Sequence, residues 1–176
     1  PLSPSRRPSA LPLAGALSGR PGIAFFDCLK QQYAKPVLPA DLSLTVLRAA
    51  FANNSVETSY HTHAPDAAAI RASLMISDEN NVLRRQVAYA LSQIFVISDQ
   101  DDTQLGSQSE GLCDWYDMLY RDAFTDFATI LKDVTYHPIM SDFLSSAKNA
   151  KAGFYNASSR PDENYAREVM QLFTIG

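Results

Sequence analysis

Apolar positions recur every three or four residues through most of this chain, and two-residue alternation is nowhere sustained. The clearest run is DENNVLRRQVAYALSQIFVIS, residues 78–98. Leu83, Val87, Ala90, Leu91, Ile94 and Phe95 stand at i, i+4, i+7, i+8, i+11 and i+12, which predicts an amphipathic helix over 79–97. Asp78 and Glu79 at its start suit the positive end of the helix dipole. Upstream, GIAFFDCLKQQYA brings Ile23, Phe26, Leu29 and Tyr33 near one face. ADLSLTVLRAAF groups Leu44, Leu47 and Phe51, with Asp41 as the expected N-cap, and PDAAAIRASLMI resumes a helix with Pro65 in its first turn. Downstream, GLCDWYDMLYRDAF, TDFATILKDVTYH and PIMSDFLSSA predict three more, the last opened by Pro138. RPDENYAREVMQLFTIG closes the chain and predicts a helix over 162–175, with Tyr165, Val169, Leu172 and Phe173 as its apolar stripe. The expected fold is all-α: about seven helices in an irregular array over residues 22–176. Residues 1–21 hold five of the ten prolines and predict an extended Pro-rich arm without a core of its own.

Composition narrows the class of partner. The 176 residues are 46% hydrophobic, enough for one domain with a core or for part of a larger one. Fifteen Lys and Arg against nineteen Asp and Glu leave a net charge of −4. No basic cluster exceeds the pairs Arg6-Arg7 and Arg84-Arg85, which argues against nucleic acid, whose phosphates need a basic surface. No apolar run approaches the roughly 20 residues of a transmembrane helix. The chain lacks an initiator Met and a signal-peptide pattern, so it reads as a processed chain or a fragment. Cys28 and Cys113 fit either a disulfide in an oxidising compartment or two buried thiols.

Candidate chemistry concentrates on two polar stripes. On the terminal helix Asn164, Arg167, Glu168 and Gln171 share a face, and Glu163–Arg167 is an i,i+4 ion pair in the favourable order. On the 79–97 helix Arg85, Gln86, Tyr89 and Gln93 form a second stripe beside Arg84. Docking these helices would bury Glu168 or Arg167 against Arg84 or Arg85, a polar seam that serves either as structural glue or as the floor of a site. The alternative is a solvated face with ordinary ion pairs. His137, just before Pro138, is expected to cap a helix end and secondarily to be a base, with Tyr136 and Tyr89 as nearby donors.

Two metal patterns are weaker. Asp99, Asp101, Thr103 and Glu110 fall at positions one, three, five and twelve of a calcium loop, but Gln104 occupies position six, where the turn wants Gly. His61-Thr62-His63 has Asp66 as its only near companion ligand, short of a full metal set. G-x-S-x-G and phosphate-binding glycine motifs are absent from a chain with seven glycines.

LRRQVAYALSQIFVIS, DAFTDFATILKDVTYHPIMSDFLS and PDENYAREVMQLFTIG resemble, in order, successive blocks of the bacterial "domain of unknown function 1800" family over about residues 82–176. The signature positions are Glu163, Asn164, Tyr165, Ala166, Arg167, Glu168, Leu172, Thr174 and Gly176. The resemblance implies a mostly helical, exported protein, periplasmic or extracellular, larger than this chain and with no activity to carry over. Two functions follow as expectations: a component of a cell-surface or extracellular assembly, with protein partners or self-association, or an exported enzyme with its site between the 79–97 and 162–175 helices.

Overall fold

The structure is a computed structural model, and it describes residues 21–53, 72–74, 81–98, 105 and 108–176. It is an array of helices: α1 Pro21–Ala34, a 3-10 turn Pro39–Asp41, α2 Ser43–Asn53, α3 Val82–Ile94, α4 Ser109–Asp122, α5 Phe127–Tyr136, α6 Pro138–Phe143 and α7 Asn164–Glu168, which runs on as a π-helix over Val169–Thr174. Among the described residues there is no strand, as the helical period predicts.

α4 is the hub and touches α2, α3, α5 and α6. Its sequence explains why. Leu112, Cys113, Trp115, Met118, Leu119 and Tyr120 point around most of the helix, and all are buried. A helix apolar on nearly every side is stable only when surrounded. Leu47 of α2, Phe95 after α3, Ile130 and Val134 of α5, and Ile139 and Met140 of α6 complete the core around it. Gly111 lets α6 come close: a Cβ there would meet Ile139 Cδ1 at 2.5 Å.

α5 begins where Asp126 accepts the Thr129 amide at 3.0 Å, an N-cap bond. α6 follows at once, with Pro138 in its first turn. The terminal segment docks through two contacts. The Tyr165 hydroxyl donates to Thr135 Oγ1 at 2.7 Å, and Phe173 meets Phe95 edge-on at 5.2 Å.

Several expectations shift here. Asp41 lies in the 3-10 turn and accepts the Leu38 amide at 2.8 Å, so it does not cap α2. On α3, Arg84 and Arg85 are buried while Ile94 is 45% exposed, so the helix is rotated from its apolar stripe. At the terminus Leu172 is 68% exposed although its spacing assigned it to the core. The π-helix is the reason: the Ile175 amide reaches back five residues to the Met170 carbonyl at 3.2 Å, which widens the turn. Tyr165, Val169 and Phe173 then line one face and Leu172 turns outward. Cys28 is exposed and Cys113 buried, and both are free thiols, which rules out a bond between them.

Candidate functional site

The N-terminus of α2 and the facing sides of α3 and α4 enclose a cleft of about 40 Å³, lined by Ser43, Arg85, Tyr89, Tyr116, Asp117 and Tyr120 among others. Asp117 is its centre. Oδ1 accepts the Ser43 amide at 2.7 Å and Oδ2 the Leu44 amide at 2.8 Å, so a carboxylate from α4 caps α2. The Ser43 hydroxyl lies 2.6 Å from Asp117 Oδ1 and 3.1 Å from the Cys113 carbonyl, and its one proton serves either. Burial pushes the Asp117 carboxyl above its ordinary value, and the bonds from Ser43 and Leu44 and the charge of Arg121 oppose this without cancelling it. Arg85 holds the opposite wall. Its guanidinium lies 4.7 Å from the Tyr120 ring centroid and donates to the Asp41 carbonyl at 3.1 Å. The cleft has room for a few waters, and both Asp117 oxygens are already engaged, so the arrangement is built first to hold α2 in place.

The polar seam between α3 and the terminal segment does not form. Arg84 donates to the carbonyls of Tyr120, Arg121 and Lys35 and lies 4.5 Å from the Phe124 ring centroid. Glu163 is exposed and pairs with Arg167 at 2.7 Å, the i,i+4 contact expected of a solvated face. Glu168 is half-buried, and its Oε2, out of water, has no hydrogen-bond partner among the described residues. The terminal segment meets α3 at Phe95, about three turns beyond Arg84 and Arg85, roughly 15 Å along a helix that rises 1.5 Å per residue. Apolar burial therefore sets the docking and leaves the arginines to α4. Tyr89 alone joins Arg85 in the cleft, half-exposed.

His137 is a cap at a helix end. It ends α5 and starts α6, and its Nδ1 accepts the Ile139 amide at 3.3 Å. The proton then resides on Nε2, 3.4 Å from Asp114 Oδ2, within ion-pair reach but off hydrogen-bond alignment. Burial lowers its pKa, with Asp114 opposing and Arg121 reinforcing the shift. The capping role expected of His137 holds, and its side chain serves the start of α6. Tyr136 is 77% exposed.

Of the calcium-loop residues, Asp99, Asp101 and Thr103 lie outside the described residues, as do His61, His63 and Asp66. Glu110 is exposed and pairs with Arg48 at 3.3 Å. Among the described residues no group of three or more His, Cys, Asp or Glu could hold a metal. Sequence reasoning missed Asp117 and Ser43. The available signal was an acid in the middle of the otherwise apolar and aromatic run WYDMLY, a position that demands partners.

Fold and interior together define an all-α helical array in which buried polar groups such as Asp117, His137 and Arg84 cap helices or satisfy carbonyls. The chain belongs to the family described as "Protein of unknown function (DUF1800)", whose profile matches residues 16–176. The match reaches well upstream of the 82–176 blocks that carried the resemblance. No curated protein and no solved structure matches the chain.

Proposed function

We propose that this chain is the interaction domain of an exported protein and joins a cell-surface or extracellular assembly through its terminal segment. The observation that carries this reading is the exposure of three large apolar side chains of that segment, Met170, Leu172 and Ile175, at 56%, 68% and 85%. Large apolar side chains so exposed leave water only against another surface. Self-association is the simplest form of that contact. Sedimentation velocity of the chain at rising concentration tests it: a concentration-dependent larger species is expected, and Leu172→Asp with Ile175→Asp abolishes it. A chain that stays monomeric throughout, and that is retained in the cytoplasm on fractionation of the cells that make it, overturns the reading.

The cleft supports a second reading, an exported enzyme whose site uses Arg85 and Tyr89. What favours it is the raised carboxyl of Asp117 facing them across a concavity. The engagement of both Asp117 oxygens in capping α2 weighs against it. It relocates the site from the terminal helix to the α2–α4 junction.

A further inference from the structure

The connection from α6 to α7 is a separate structure with its own chemistry. Asn149 closes it with a two-bond clasp: its side-chain amide donates to the Asp162 carbonyl at 2.6 Å and accepts the Asp162 amide at 2.9 Å. The Gly153 amide reaches the Ser159 carbonyl at 3.1 Å, and the Ala147 amide reaches the Ser141 carbonyl at 2.9 Å. Ser145 and Lys148 hold left-handed backbone, φ 59° and 60°, where side chains are uncommon. Strained, cross-braced loops of this sort recur at sites that bind something.

The loop shapes an open concavity of about 210 Å³, whose lining includes Lys148, Asn149, Lys151, Tyr155, Arg160 and Asp162. Three cations face it against one carboxylate, in a chain whose net charge is −4. None of Lys148, Lys151 and Arg160 has an ion-pair partner among the described residues. Asp162 Oδ1 already accepts the Asn164 amide at 2.9 Å. Beside the cations stand Phe154 and Tyr155, 62% and 72% exposed, with ring centroids 4.9 Å apart at 89°. Two rings braced on each other in water, next to unpaired positive charge, form an amphipathic and anion-seeking surface.

We propose that the 145–162 loop binds an acidic saccharide, a uronate-bearing glycan whose carboxylate meets Lys148, Lys151 and Arg160 and whose ring lies against Tyr155. The cations line a hollow, whereas a flat membrane needs them around a convex tip. The acidic remainder of the molecule disfavours the long phosphate tract of a nucleic acid. A carboxylated sugar matches both parts of the surface: the arginine fork and ammonium groups take the carboxylate, and the aromatic face takes the apolar side of the ring. None of Met170, Leu172 and Ile175 lines this concavity, and the inference does not rest on the assembly reading.

Isothermal titration of the chain with tri-galacturonate, and with the neutral galactose trimer, tests it. Tri-galacturonate is expected to bind at least tenfold more tightly than the neutral trimer. Lys151→Gln with Arg160→Gln is expected to weaken it at least tenfold, with the thermal midpoint unchanged, and Tyr155→Ala to weaken it too. Equal binding of the two trimers, no binding of either, or full affinity in the double variant overturns the proposal. So does flotation of the chain on phosphatidylglycerol vesicles that the double variant abolishes while tri-galacturonate fails to bind.

Discussion

A guanidinium taken almost wholly out of water needs acceptors for its donors, and Arg84 finds them in the carbonyls of Lys35, Tyr120 and Arg121. It thereby ties the segment after α1 to the end of α4. Arg84→Ala is expected to cost at least about 2 kcal/mol in urea denaturation, because buried carbonyls lose their donors. Arg84→Lys should recover less than half, since an ammonium cannot span three carbonyls or stack on Phe124. Asp122 sits under the opposite stress. Burial first, then the charge of and hydrogen bond with Asp133, push it up to about 6 from 3.8, and Arg121 opposes. The folded chain holds a proton that the unfolded chain releases, so Asp122 subtracts stability as pH rises from about 4 to about 6. Asp122→Asn should raise the thermal midpoint at pH 7, and the gain should vanish near pH 4 in a pH series of melts. His137 works the other way: its lowered pKa means the unfolded imidazole charges first, so its contribution fades as pH falls below 6.5.

At the scale of elements, helical period was legible and orientation was not. Regular spacing located α1 to α6 to within a few residues, because a helix that must bury one face writes that face into its sequence. The spacing misled on α3, where Arg84 and Arg85 are buried and Ile94 is half-exposed. Aromatic neighbours on a distant helix made arginine a core residue, and no local pattern encodes those neighbours. It misled again at the terminus, where the expected 3.6-residue period gives way to π geometry and turns Leu172 outward. The candidate site was legible only in part. Arg85 and Tyr89 do line a cleft, but the carboxylate that lines it with them is Asp117, not Glu168. The sequence leaves Glu168 as either one half of a buried ion pair or part of a solvated face. With no partner among the described residues, Glu168→Ala is expected to change stability by less than about 0.5 kcal/mol, and a loss above about 2 kcal/mol in the same denaturation assay would restore the pair.

The whole molecule is organised around α4, and burial falls off outward from it. The cysteines report this gradient. Cys113 lies on α4 at 0% exposure and Cys28 on the exposed side of α1. A thiol reagent should label one cysteine in the native chain and both in denaturant, and labelling of both at native rates would contradict the packing of α4. α1 itself is held near its end by Tyr33, whose ring stacks on Phe124 at 4.9 Å and whose hydroxyl donates to the Phe124 carbonyl at 3.0 Å. From Asp27 to Ala34 its side chains are exposed or half-exposed. A helix with no fully buried side chain over that described stretch opens at a smaller cost than the buried α4. Deuterium should therefore enter the amides of α1 long before those of α4, and a protease given time would find its first cut there.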